Sequence, residues 1–382
     1  MKKTLVALAV AAVAATSANA AVVYNQDGSK VEVGGSLRLL MTQYKGERTD
    51  LKNKGSRVIF KGTQDLGDGF SALGNVELRF EDDGKDKFGK VQTKRLYAGF
   101  AKEGIGQLTF GRQLTNLDDS GLSDYTYNLG GVNQTQTDGD KVARFRSASF
   151  AGLELGLDYF FGDKDKANDG NKSGYGASLF YTLNIAENTT LKFNAGYSQV
   201  KLKANKVTIG KAEKVKVSGT DENGQSVQVT VLNDKKVPYK EHKQKAFIVG
   251  TELASGPFAI AVDYSQVKAT NNVNVVAYHS DSDSTIRPEL YNRIRTLEVG
   301  VKYAYSDKGK VYGEYIWGKG NTHNDSEICD LDQFILGVDY KLHENVVTYV
   351  EGGTAKIKKE HNGREYSSER DNKIGVGFRV YF

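Results

Sequence analysis

The chain ends Ile374-Gly375-Val376-Gly377-Phe378-Arg379-Val380-Tyr381-Phe382. Ile374, Val376, Phe378, Val380 and Phe382 recur at a period of two up to the last residue. That period puts them on one face of a strand. A terminal phenylalanine gains little in a water-soluble domain, whose ends usually fray. Here it fits a strand held to its final residue.

The same period runs back through the chain. Val31, Val33, Leu37, Leu39 and Met41 alternate with polar or small residues. So do Phe70 to Phe80, Leu153 to Tyr159, Leu297 to Tyr303 and Phe334 to Tyr340. Such alternation describes a sheet with one apolar and one polar face. Past the first twenty residues no segment has a convincing helical period. Short turns at 66–69, 102–104, 254–256, 306–309 and 343–345 separate strands. Longer polar inserts fall on the other connections, at about 45–55, 81–91, 162–172, 201–243, 269–292, 318–329 and 359–370. About sixteen strands result.

Composition agrees. Of 382 residues, 42 are glycine, 21 tyrosine and three proline, with mean hydropathy −0.49. No bundle of apolar helices could be built from this chain, and its aromatics argue against disorder. A net charge of +5 without a concentrated basic domain argues against nucleic-acid binding. The single cysteine, Cys329, excludes an intrachain disulfide and a cysteine-based zinc site. The histidines lack ligand spacing, and no nucleophile elbow, P-loop or dinucleotide fingerprint is present. Neither an enzyme nor a cofactor or metal is expected.

Residues 1–20 read as a secretory leader. Lys2 and Lys3 precede an apolar run, and Ala18-Asn19-Ala20 fits cleavage after Ala20. Cleavage lowers the side-chain charge to +3. Residues 21–382 then form one domain outside the cytoplasm.

Two architectures offer such alternation, a soluble sandwich and a transmembrane barrel. Short turns alternating with long loops favour the barrel. A closed barrel also leaves no backbone group unpaired in hydrocarbon. In Gly156-Leu157-Asp158-Tyr159, Ala261-Val262-Asp263-Tyr264, Gly300-Val301-Lys302-Tyr303 and Gly337-Val338-Asp339-Tyr340, a tyrosine lies on the apolar face towards a strand end. Interface girdles lie there. The expected fold class is all-β, an antiparallel transmembrane barrel.

The fragments Ala21–Gly28, Arg57–Gly62, Gly104–Arg112, Val142–Arg146 and the terminal Phe382, in this order, resemble the Gram-negative general-diffusion porins. The major porins of the Pasteurellaceae are especially similar. The resemblance covers nearly all of the mature chain. It implies a homotrimeric, sixteen-stranded outer-membrane barrel, exported through the periplasm, that passes small hydrophilic solutes passively. Outer-membrane lipid, lipopolysaccharide and the barrel assembly machinery are the implied partners, with Phe382 as the assembly signal. It further implies that the third long connection, about 113–140, folds inward and sets its acids against a basic wall. Asp118, Asp119 and Asp124 are the candidate acids. Opposed charges across a narrow wet gap order water and set ion preference.

Strand parity selects the wall. Val58 and Phe60 face lipid, so Arg57 and Lys61 face inward. Phe145 faces out, so Arg144 and Arg146 face in. Arg38 alternates against Leu37 and Leu39. Lys94 matches a wall arginine of the family, with Tyr97 outward. The same parity turns Arg95 outward and Leu96 inward. Arg112 shares parity with Leu108 and Phe110 and points out. The alternative for each basic residue is a solvated charge elsewhere in the lumen.

Residues 201–245 hold eleven lysines against five acids, and Asn223-Gly224 between alternating valine runs signals a hairpin. This insert reads as an external loop that binds anionic lipopolysaccharide, steers anions, or is simply a solvated surface. A substrate-selective channel and a surface adhesin or receptor barrel are the alternative functions. Inward arginines argue for anions and loop aspartates for cations, with a lean towards anions.

Overall fold

The computed structural model describes residues 20–44, 48–81, 89–131, 133–163, 171–208, 213–220, 226–233, 236–274, 276 and 290–382. Residues 1–19 of the expected leader and the expected Asn223-Gly224 turn lie outside the described residues.

Strands dominate, as the alternation requires. They are β1 (Ala21–Gln26), β2 (Ser29–Tyr44), β3 (Asp50–Asn53), β4 (Ser56–Gly67), β5 (Phe70–Glu81), β6 (Lys90–Lys102) and β7 (Gly106–Leu114). Then come β8 (Asp138–Ser147), β9 (Leu153–Phe161), β10 (Asn171–Ala186) and β11 (Thr189–Leu202). The basic insert holds β12 (Asn205–Thr208), β13 (Glu213–Thr220), β14 (Ser226–Asn233) and β15 (Lys236–Tyr239). The chain finishes with β16 (His242–Ser255), β17 (Phe258–Ala269), β18 (Arg293–Ser306), β19 (Gly309–Asn321), β20 (Glu327–His343), β21 (Val346–His361) and β22 (Arg364–Tyr381).

Neighbours pair antiparallel around a closed ring. The ring shuts where β22 pairs with Ser36–Tyr44 of β2. β1 takes the remaining stretch of β2, Ser29–Val33, so β1 and β22 lie end to end as one barrel strand. β3 and β4 likewise share one position on the other side of β2. Counted so, the barrel has sixteen strands.

The two ends of the chain meet at this seam. Gly35 N donates to Phe382 O (2.7 Å), and Phe382 N donates back to Gly35 O (3.2 Å). A Cβ at Gly35 would lie 2.8 Å from the Phe382 ring, and one at Gly34 would lie 3.2 Å from the Phe382 carbonyl oxygen. Glycine is needed there for close approach.

The apolar face is outside. Leu155, Leu157 and Tyr159 of β9 are 48%, 56% and 47% exposed, while the alternate residues Gly156 and Asp158 are buried. Among the described residues no helix is long and apolar enough to cross a membrane, and the strands do the crossing.

Two expected long loops are largely strand. Only residues 322–326 separate β19 from β20, and Asn362-Gly363 alone joins β21 to β22. The polar runs at 318–329 and 359–370 belong to strands that continue past the membrane. The outward face carries Lys319, Asp330 and Lys358 there, so alternation of polarity is lost while the ladder persists. In the basic insert β13 and β14 pair from Glu213↔Asn233 to Thr220↔Ser226, and β12 pairs with β15. Beneath it, Glu241 accepts from Lys172 and from Lys201 Nζ (2.9 Å), which together hold its carboxyl down to about 2.

Candidate functional site

The connection between β7 and β8, residues 115–137, turns into the barrel. Its neck is closed by Thr115 N donating to Thr137 O (2.9 Å) and Thr115 Oγ1 to Gln136 O (2.7 Å). Thr115 Oγ1 also caps a short 3-10 helix, Asn116–Ser120, by accepting from Leu117 N (3.2 Å).

From there irregular backbone runs across the interior. Irregular backbone at membrane depth must find partners within the protein. Wall carboxylates supply them. Asp158 accepts from Asn116 N (3.1 Å) and Nδ2 (3.0 Å). Asp263 accepts from Leu122 N (2.6 Å), Ser123 N (2.7 Å) and Ser123 Oγ (2.6 Å). Glu314 accepts from Tyr125 N, and Glu252 from Tyr125 OH (2.7 Å). Glu351 accepts from Tyr127 N (2.8 Å), Asn128 N (3.0 Å), Leu129 N (2.7 Å) and Tyr312 OH (2.8 Å). Asp339 accepts from Tyr127 OH (2.7 Å), and Glu298 from Gly131 N (3.0 Å). These are charge-assisted bonds, the stronger class.

Glycines make room for the same segment. A Cβ at Gly156 would lie 2.5 Å from the Asn116 side chain. At Gly176 and Gly196 it would lie 2.9 Å and 2.8 Å from Leu117. At Gly300 it would run into the Ser123 carbonyl oxygen. The segment therefore sits in a track of inward-facing glycines and is pinned there by inward-facing acids.

The other arc of the wall is basic. The fully buried Glu77 carboxylate gathers three guanidinium groups, Arg57 (3.2 Å), Arg79 (2.8 Å) and Arg95 (2.6 Å). Arg38 stands opposite Arg379 across the seam. Arg379 Nη2 donates to Tyr127 O (2.7 Å), and its guanidinium lies 4.5 Å from the Tyr127 ring centre. Arg144 and Arg146 face Asp119 at 3.7 Å and 3.5 Å. Arg146 also donates to Glu154 (2.8 Å) and covers the Phe180 ring at 3.4 Å. Seven arginines thus line the arc from β22 through β2 to β8.

The arrangement differs from the parity reading at one strand. Glu77 pairs with Arg95 but Leu78 pairs with Thr93, so Lys94 is the extra residue of a β-bulge. A bulge shifts alternation by one. Arg95 therefore points in, Leu96 is exposed outward, and the wall position expected for Lys94 is filled by Arg95. Lys61 stands opposite Glu32 and Asn75 in the ladders. Of the three candidate acids, Asp119 meets arginines. Asp118 and Asp124 line a cavity of about 270 Å³ on the far side of the segment, with Asp138, Asp263 and Glu298. Arg112 pairs with Asp140 (3.2 Å) at an exposed edge.

Sequence reading missed Arg79, Arg95 and Arg379, and every wall acid. The signals were present. Arg379 lies inside the terminal stretch, between Phe378 and Val380. Asp158, Asp263 and Asp339 occupy the quartets read for their tyrosines, at the inward parity.

A sixteen-stranded barrel with an inward segment and one arginine-lined arc can be set against known proteins. The family model described as Gram-negative porin matches residues 7–360. The chain belongs to the Gram-negative porin family. Two curated relatives agree. A major outer membrane protein of Pasteurella multocida strain Pm70 is 45% identical over 398 residues, covering 100% of both chains. A second from Pasteurella multocida is 42% identical over 405 residues, again covering 100% of both. The fold resembles that of OmpT of Vibrio cholerae, with a TM-score of 0.66 at 20% identity over 94% of this chain and 99% of that one. It also resembles Salmonella typhi OmpF in complex with daunomycin, with a TM-score of 0.61 at 15% identity over 94% and 99%. This porin is an outer-membrane protein that forms a non-catalytic diffusion channel.

Proposed function

We propose that the porin is narrowed by residues 115–137, passes small hydrophilic solutes, and favours anions at that level. One asymmetry carries the reading. The acids of the far wall are covered by the segment and accept from its N–H and hydroxyl groups, with Glu298, Glu314 and Glu351 no more than 4% exposed. The side chains of Arg57, Arg79, Arg95 and Arg144 retain 14–16% exposure towards the interior. Buried, hydrogen-bonded carboxylates contribute less field to the gap than partly exposed guanidinium groups. Glu77 offsets Arg57, Arg79 and Arg95 by one charge, and Asp119 lies between Arg144 and Arg146.

Leader cleavage after Ala20, a homotrimeric assembly, lipopolysaccharide contacts at the basic insert and recognition of Phe382 by the assembly machinery complete the proposal. A trimer form is described for OmpT of Vibrio cholerae, which supports the trimer.

The test is a planar bilayer under a salt gradient. Conductance steps grouped in threes and a reversal potential on the anion side are expected. Arg57→Gln with Arg79→Gln should move the reversal potential towards the cation side. An unmoved potential in a folded double variant would remove the arginine arc from selectivity.

A further inference from the structure

On β16 to β21 the inward positions change character with height. At the level of the segment they are Asp263, Glu298, Glu314 and Glu351. One or two turns of the ladder further out they become Val267, Ile294, Ile316, Leu331 and Ile357. Left facing a wet lumen, each larger apolar side chain would forgo the gain of burial. None does so. Ile294 is 0% exposed, and the other four no more than 7%.

What covers them is chain from inside the bore. Leu129 of the inward segment packs on this cluster, as do Val276 and Tyr291 of the connection between β17 and β18. Val276 and Tyr291 are bridged by two backbone hydrogen bonds (2.9 and 2.8 Å). Asn292 Nδ2 ties the base of this connection to Ala269 O and Val273 O, both at 2.9 Å. The Tyr291 ring lies on inward-facing Gly320, where a Cβ would come within 2.8 Å of it. Leu129 lies on Gly353 in the same way, 3.3 Å from the Cβ position.

We infer that this packed apolar shelf fills one side of the outer bore, and that Tyr291 is a size-determining residue of the channel. A dry apolar core carries neither water nor ions. Solutes entering from outside are thereby confined to the side of β22 and β2 to β8, the arginine side, before they reach the segment. The shelf also holds the segment from above through Leu129. The inference rests on the porin reading and deepens it, because size and charge are then sensed along one arc.

Tyr291→Ala tests it, with Tyr291→Phe as control. Both are first checked for the folded, heat-modifiable barrel on a gel. Uptake of neutral sugars of rising size into proteoliposomes is then measured, with single-channel conductance. Tyr291→Ala should admit larger sugars several-fold faster and conduct more, while Tyr291→Phe, which keeps the ring, stays at wild type. Wild-type uptake by folded Tyr291→Ala overturns the inference. Should that variant not fold, Val276→Thr serves. A raised size limit supports the shelf, and an unchanged one overturns it. Neutral sugars do not report the arginine arc. A failure of the charge reading, seen in reversal potential alone, is therefore distinguishable from a failure of the shelf.

Discussion

Gly300→Val will unseat the inward segment. A side chain at Gly300 meets the Ser123 carbonyl oxygen and comes within 3.1 Å of the Tyr125 ring. The first obstacle is backbone. It is fixed by the bonds of Leu122 and Ser123 to Asp263, so it cannot swing aside as a side-chain tip would. Overpacking of this kind costs about 1–3 kcal/mol. The strands keep their own ladders, so the barrel should still close. Conductance and uptake of larger neutral sugars should rise, and the temperature at which the folded gel band disappears should fall. Gly300→Ala should act in the same direction, less strongly. A folded Gly300→Val channel with wild-type conductance would mean that the segment does not narrow the bore.

Glu77→Gln should have the second large effect, on charge and stability together. One buried carboxylate holds Arg57, Arg79 and Arg95. Removing one partner from a buried charge cluster typically costs about 3–5 kcal/mol. The lower end is expected here, because the freed guanidinium groups can turn towards lumenal water. The unfolding temperature should fall. The reversal potential should move further to the anion side, since the arc gains one net positive charge. Glu77→Asp keeps the charge but shortens the reach, and should return selectivity more fully than stability. Wild-type selectivity in folded Glu77→Gln would show that the cluster lies off the ion path.

The barrel was legible because its rule is local. Alternation from Val31 to Met41 or Leu153 to Tyr159 needs no knowledge of neighbours to assign faces. The end of a strand is less legible. Past the membrane the outward faces of β20 and β21 turn polar, at Asp330, Asp332, Lys356 and Lys358, and a strand without an apolar outer face reads as a loop. The bulge at Lys94 is invisible for a related reason. One inserted residue inverts every later side chain, and only pairing with Glu77 reveals where the inversion falls. Arg57, Arg144 and Arg146 follow from parity because apolar neighbours flank them. Glu298 and Glu351 do not announce their work. A lumenal acid that holds N–H groups looks the same in sequence as one that faces water. The partners come from residues 122–131, more than 160 positions away.

The seam at Gly35 makes closure of the barrel depend on its last strand. Because β1 and β22 share one strand position, and Phe382 pairs with Gly35, the ring has no closed form until β22 is in place. A barrel lacking β22 would leave β2 bare along Ser36–Tyr44. A fragment cut short at its C-terminus cannot pass for a finished channel.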